Sequence, residues 1–107
     1  GSVVVPATVR DDPVVVSIAT GGASPALSAY LRERVEAELD GAGAMAELTA
    51  ALRDDLQSRG DDPVRRREVV RAVVRSPDVW TTLRTGNAKP RQLIDDVLAD
   101  VAPELVK

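Results

Sequence analysis

Apolar positions follow one rhythm at the start of the chain and another from Ser24 onward. Residues 3 to 20, VVVPATVRDDPVVVSIAT, are dense in β-branched side chains and broken at Asp11-Asp12-Pro13, a pattern that predicts two strands around a short turn. Beyond Ser24 the apolar residues recur every three or four positions, the helical period. Ser24 is placed to cap a helix and Pro25 suits its first position. Leu27, Tyr30, Leu31, Val35 and Leu39 then fall on one face, and Gly41 and Gly43 end the run. A second helix is predicted over about 44–59, with Met45, Leu48, Leu52 and Leu56 as its apolar stripe and Gly60 as its stop. A third covers about 63–75, with Val69, Val70, Val73 and Val74 as the apolar face and Arg65, Arg66, Arg67, Arg71 and Arg75 as the charge. Ser76-Pro77 repeats the cap-then-proline signal and opens a short fourth helix carrying Val79, Trp80 and Leu83, closed by Gly86-Asn87. A fifth, over about 90–101, carries Leu93, Ile94, Val97, Leu98 and Val101. The fold class predicted is α+β: two N-terminal strands followed by a bundle of about five helices, divided into residues 1–22 and a helical domain over 23–107.

The two strands present a difficulty of burial. Val3, Val5, Ala7 and Val9 point one way and Val4, Pro6 and Thr8 the other; in the second strand Val14, Val16 and Ile18 oppose Val15, Ser17 and Ala19. Both faces read as apolar, which suits a sheet covered on both sides, whereas an isolated hairpin is marginal in water. The ribbon is therefore expected to borrow backbone partners, from a second copy of the chain or from the sheet of a preceding domain. Pro6 has no backbone donor, which places the first strand at an edge or at a bulge.

Composition narrows the chemistry. The chain has 107 residues and 2% aromatics, so its core is thin and assembled from Val, Leu and Ala. Seventeen acidic residues against fourteen basic give a net charge of -3, which argues against a long-range field for nucleic acid or anionic lipid. Neither Cys nor His occurs; disulfides, thiolate nucleophiles and the commonest metal ligand are excluded. Chemistry falls to carboxylates, hydroxyls, Arg, Lys and backbone amides. No apolar run approaches the roughly 18 residues of a membrane span and the start carries no signal-peptide pattern, so the expected setting is cytoplasmic.

Two groups of residues are candidates for binding. The stretch SIATGGASPAL runs from a strand through two glycines into a helix start, and Thr20, Gly21, Gly22, Ala23 and Ser24 can form an anion cradle there. Free amides and a partial positive charge at a helix N-terminus favour an anion by roughly 0.3–1 kcal/mol at exposed sites. The same residues also suit a plain tight turn in which Ser24 only caps. Arg67, Arg71 and Arg75, four residues apart, make one cationic ridge, while Arg65 and Arg66 project elsewhere. That ridge suits anionic groups, the acidic face of another helix, or solvent; nucleic acid is disfavoured by the net charge and the lack of stacking residues. Trp80 is expected to anchor the core. Asp54-Asp55, Asp61-Asp62 and Asp95-Asp96 diverge by about 100° on a helix and are expected at the surface, with no metal site.

The stretch VVVPATVRDDPVVVSIATGGASPALSAYLRERVEAEL resembles the middle segment of the siroheme synthases of the precorrin-2 dehydrogenase and sirohydrochlorin ferrochelatase type. There a strand with a VPA element, a polar turn, a second strand ending in Ser/Thr-Gly-Gly, and Ser-Pro opening an amphipathic helix occur in this order. VRRREVVRAVVRSPDVWTTL resembles the family's Arg-rich stretch, so the likeness covers about 3–98 and fades toward the C-terminus.

The resemblance implies a three-part parent with an N-terminal NAD-binding Rossmann-type domain, a central segment forming an interlocked dimer, and a small helical domain. The parent would oxidise precorrin-2 to sirohydrochlorin with NAD, with ferrous iron as substrate of a second, chelatase reaction in members that carry it. Gly21-Gly22 lacks the spacing and the following acidic residue of a dinucleotide fingerprint, and the aspartate the family uses would lie upstream of Val3; Asp11 and Asp12 do not match it. No catalytic, cofactor-binding or metal residue is therefore expected in this chain, which alone should be inactive. Ala19 stands where some relatives carry Ser, so no role passes to it. The resemblance further implies that residues 1–22 serve dimerisation or complete a neighbouring sheet, that the helix over about 24–40 dimerises, and that 44–101 supply the C-terminal helices. Thr20, Gly21, Gly22, Ala23 and Ser24 would hold carboxylates of precorrin-2 or sirohydrochlorin, with Arg67, Arg71 and Arg75 as further carboxylate contacts. The competing expectation is a noncatalytic, strand-swapped dimerisation module with a helical cap and no small-molecule ligand.

Overall fold

The computed structural model describes residues 7–86 and 90–103. Two strands, β1 (Ala7–Asp11) and β2 (Val14–Ile18), are followed by five helices: α1 (Pro25–Leu39), α2 (Ala42–Ser58), α3 (Pro63–Val74), α4 (Pro77–Thr85) and α5 (Pro90–Val101). The α+β class read from the sequence holds. The chain divides into two compact units, residues 1–43 and 44–107.

In the first unit β1 and β2 pair antiparallel, with Ala7 opposite Ile18, Val9 opposite Val16 and Asp11 opposite Val14, through a turn whose Asp12-Pro13 peptide is cis. Directly opposed residues share a face of an antiparallel pair, so Ala7, Val9, Asp11, Val14, Val16 and Ile18 make one face and Thr8, Arg10, Val15 and Ser17 the other. Val9 is buried and the rest of the first face is half-buried, while Arg10, Val15 and Ser17 are exposed. The sequence suggests two apolar faces; the described ribbon has one, because Thr8, Arg10 and Ser17 supply polar groups to the other. The expectations for Val3, Val4, Val5 and Pro6 lie outside the described residues.

Helix α1 packs against β1 and β2. Ser24 caps it as predicted, its Oγ accepting the Leu27 N–H at 3.2 Å. None of its residues is fully buried: Leu31, Val35 and Leu39 are half-covered, and Leu27 and Tyr30 are exposed. Gly41, at φ 89°, makes the expected break. Gly43 does not. It lies inside the first turn of α2, which begins two residues before the predicted start, because the Asp11 carboxylate accepts its N–H at 2.8 Å and so satisfies a donor that a helix start leaves orphaned.

The second unit holds the main core. Met45, Leu48, Leu52 and Leu56 of α2 meet Val69 and Val73 of α3, Val79 of α4, and Leu93, Ile94, Val97 and Leu98 of α5, with Ala102. Every predicted stripe contributes. Val70, Trp80, Leu83 and Val101 pack at the margin, but Val74, read as part of the α3 face, is exposed. The buried seam of α3 is the single i, i+4 pair Val69 and Val73, and Val74 lies about 100° further round the helix. Asp62 and Ser76 cap α3 and α4 ahead of Pro63 and Pro77. Gly60 (φ 78°) and Gly86 (φ 73°) come just after α2 and α4 in the left-handed region that favours glycine. Asn87, expected to close α4 with Gly86, lies outside the described residues.

Candidate functional site

Beyond Ile18 the chain leaves the ribbon and reverses within four residues. Gly21 and Gly22 are left-handed, at φ 64° and 78°, and the Ala23 N–H donates to the Thr20 carbonyl at 3.1 Å. Two positive φ values inside an i to i+3 bond are the mark of a I′ turn, which explains why both central positions are glycine. Thr20 braces the entry to α1. Its Oγ1 accepts the Ser24 N–H at 3.4 Å and lies 3.4 Å from the Ser24 carbonyl and 3.2 Å from the Ser28 hydroxyl.

The structure thus brings Thr20, Gly21, Gly22, Ala23 and Ser24 together as one connected turn at the start of α1. Their donors are not equivalent. The Ala23 and Ser24 amides are spent on Thr20, whereas the Gly21 and Gly22 amides have no acceptor among the described residues. Gly21, Gly22 and Ala23 are exposed, and a Cβ placed on Gly21 would meet nothing within 4 Å. The Ser24 oxygen accepts from Leu27 but retains its own hydrogen to donate. In chemical terms the turn offers two backbone N–H groups, one hydroxyl and the positive end of a 15-residue helix.

The arginines sort differently from the sequence pattern. Arg67, Arg71 and Arg75 are exposed, but only Arg67 and Arg71 share a depression of about 440 Å³, lined also by Arg53, Arg66, Pro63 and Val70. Arg75 is the residue after the last turn of α3, its N–H donating to the Arg71 carbonyl at 3.1 Å. Arg65 pairs with Glu68 at 3.4 Å. Spacing along one helix could not reveal Arg53, which stands on α2, and it sent Arg66 elsewhere; packing of two helices brings both in.

Trp80 packs against the core as expected. Its Nε1–H donates to the Val74 carbonyl at 2.7 Å, and the Arg84 guanidinium lies 5.4 Å from its ring centre. Among the acidic pairs, Asp55 meets Arg59 at 3.0 Å and Asp62 caps α3. Asp61 departs from its expected surface place: it is half-covered, with one carboxylate oxygen buried and unpartnered. Gly60 turns the chain back so that the Asp61 N–H reaches the Leu56 carbonyl at 3.2 Å. Among the described residues no helix is long and apolar enough to cross a membrane.

Fold and junction define a small α+β segment whose ribbon delivers an amide-bearing turn to a helix start. Its relatives are specific. The chain is 36% identical over 99 residues to a siroheme synthase of Gluconacetobacter diazotrophicus, which covers 92% of the chain and 21% of that protein. It is 32% identical over 104 residues to a siroheme synthase of Stutzerimonas stutzeri, 96% of the chain and 22% of that protein. With the enzyme of that name from Methylococcus capsulatus it shares 33% over 98 residues, 91% of the chain and 20% of that protein. No family model and no solved structure matches the chain. Over nearly its whole length the chain is related to one segment of the siroheme synthases, and it spans about a fifth of the length of these curated relatives.

Proposed function

We propose that this chain is the pairing and substrate-holding segment of a siroheme synthase whose parent oxidises precorrin-2 to sirohydrochlorin with NAD, with ferrous iron as a substrate where the parent is also a chelatase. In this reading residues 1–22 and the helix over 24–40 join two copies, and residues 44–101 form the helical part.

The observation that carries the proposal is the junction itself, in a chain related to siroheme synthases along its length: two exposed glycine amides, without an acceptor among the described residues, at a helix start. Reduced tetrapyrroles of this pathway bear many carboxylates and call for aimed donors. The Gly21 and Gly22 amides would donate to one carboxylate, the Ser24 hydroxyl would add a third donor, and Thr20 would hold the turn in shape. The helix dipole favours the same charge. Arg67, Arg71 and Arg75 are the further candidates for carboxylate contact. NAD itself does not fit these residues. The glycine turn comes after a strand of an antiparallel ribbon, where a dinucleotide site needs the first βα turn of a parallel sheet, so no step through the nicotinamide is assigned to this chain and it should not turn over alone.

The exposure of Val15, Leu27 and Tyr30 also suits a second reading, a noncatalytic pairing module without a small ligand. Titration of sirohydrochlorin, monitored by its visible absorption, separates the two. A saturating spectral change is expected, weakened about tenfold in Thr20→Val because the donors lose their brace, an effect on the scale of one charge-assisted hydrogen bond. No spectral change at high micromolar ligand would leave the pairing module, and precorrin-2 oxidation at a full rate by these 107 residues would overturn the division of labour.

A further inference from the structure

Four guanidinium groups gather where the composition gives no reason for them to gather. Arg53 of α2 and Arg66, Arg67 and Arg71 of α3 line the 440 Å³ depression, with Pro63 and Val70 as its apolar part. The chain is acidic overall, with 17 carboxylate side chains against 14 basic ones, yet none of these four arginines has an ion-pair partner among the described residues. Other arginines nearby in the sequence do find partners, Arg59 just after α2 with Asp55 and Arg65 of α3 with Glu68. The nearby Asp62 is engaged as the cap of α3.

Like charges held around one concavity repel, and that repulsion is relieved when an anion enters. Each guanidinium offers a planar fork of donors that matches paired oxygens. Val70 is half-covered while Arg53, Arg67 and Arg71 are exposed, which fits stems lying along apolar surface with the charged heads free. The volume lies in the range of small-ligand sites. One exposed arginine on a helix is ordinary; four without a carboxylate partner among the described residues, from two helices, around one hollow of ligand size are a receptor for negative charge.

We propose that Arg53, Arg66, Arg67 and Arg71 form a binding site for a small multivalent anion bearing several adjoining oxygens, either a phosphate chain or clustered carboxylates. The site is built from residues other than Thr20–Ser24 and does not rest on the tetrapyrrole reading.

The test uses the full chain, titrated by calorimetry with inorganic pyrophosphate and with citrate, against sodium chloride at matched ionic strength. Saturable one-to-one binding of at least one of the two is expected, and the tighter of them identifies the source of the oxygens. Arg66→Gln and Arg71→Gln should each weaken it about tenfold, the scale of one charge-assisted contact, while Arg32→Gln, on α1 and not part of the hollow's lining, should leave it within twofold. These arginines lie outside the hydrophobic core, so the variants should keep the wild-type circular dichroism. Binding of neither anion, a response no different from chloride, or equal losses in Arg32→Gln and Arg71→Gln would overturn the proposal. A failed sirohydrochlorin titration would not overturn it, since pyrophosphate and citrate read the four arginines of the hollow directly.

Discussion

The Asp11 carboxylate accepts the Gly43 N–H at 2.8 Å, a bond between residues 32 positions apart. It ties the end of β1 to the first turn of α2, and the approach is close on the backbone side as well. A Cβ on Gly43 would collide with the Asp12 carbonyl oxygen and come within 2.6 Å of the Asp11 carbonyl oxygen. Helix propensity alone would make Gly43→Ala stabilising by about 1 kcal/mol. Overpacking against backbone, which cannot swing aside as a side chain can, costs about 1–3 kcal/mol. The collision should win, with a net loss of up to about 2 kcal/mol in urea unfolding. Asp11→Ala should also destabilise, by about 1 kcal/mol as for a lost helix cap, and Asp11→Asn by less because an acceptor remains. A higher urea midpoint for Gly43→Ala would show that the turn yields.

Trp80 gives a second prediction, confined to the helical unit. Its ring packs at the edge of the core while its Nε1–H holds the Val74 carbonyl, at the last residue of α3, at 2.7 Å. Trp80→Phe keeps most of the ring and removes the donor, so it should cost about 1 kcal/mol, the usual net value of such a bond. Arg84→Gln removes the cation from above the ring and should cost no more than about 1 kcal/mol. Thermal unfolding monitored by far-ultraviolet circular dichroism measures both. A Trp80→Phe chain as stable as the parent would mean that water replaces the indole at the Val74 carbonyl.

The features legible in the letters alone were those that depend on near neighbours. Ser24-Pro25 and Ser76-Pro77 announced helix starts because cap and first-turn chemistry act within four residues, and Leu48, Leu52 and Leu56 announced a buried stripe because a helix repeats every 3.6 residues. Gly43 reads as a terminator in the sequence because its partner, Asp11, belongs to another element. The ribbon reads as apolar on both faces from the sequence, and over the described strands it is not, since the density of valines hides that Arg10 and Ser17 stand on the same side as Val15. In the junction the glycine pair was legible. That Thr20 spends the Ala23 and Ser24 amides and leaves those of Gly21 and Gly22 was not, because it depends on the φ values actually adopted. Grouping Arg53 and Arg66 with Arg67 and Arg71 required two helices to be packed.

Pairing of two copies can be separated from folding by mutation. Leu27 and Tyr30 are 47% and 54% exposed on the stripe of α1, and Val15 is 46% exposed on the open face of the ribbon. Apolar side chains left this open add little to the stability of one copy, since surface substitutions usually change it by less than about 0.5 kcal/mol. Their burial between copies would be worth about 25 cal/mol per Å² of apolar area removed from water. Leu27→Glu combined with Tyr30→Glu should therefore convert a dimer to a monomer in sedimentation at micromolar concentration. Measured where both chains are monomeric, the unfolding free energy should barely move. Leu52→Ala is the contrasting change: Leu52 is 1% exposed in the core of the helical unit, so its truncation should cost about 2–5 kcal/mol without altering association of the chains that remain folded. A wild-type chain that sediments as a monomer at tens of micromolar would defeat the pairing proposal, and a double-Glu chain that stays dimeric would move the interface off α1.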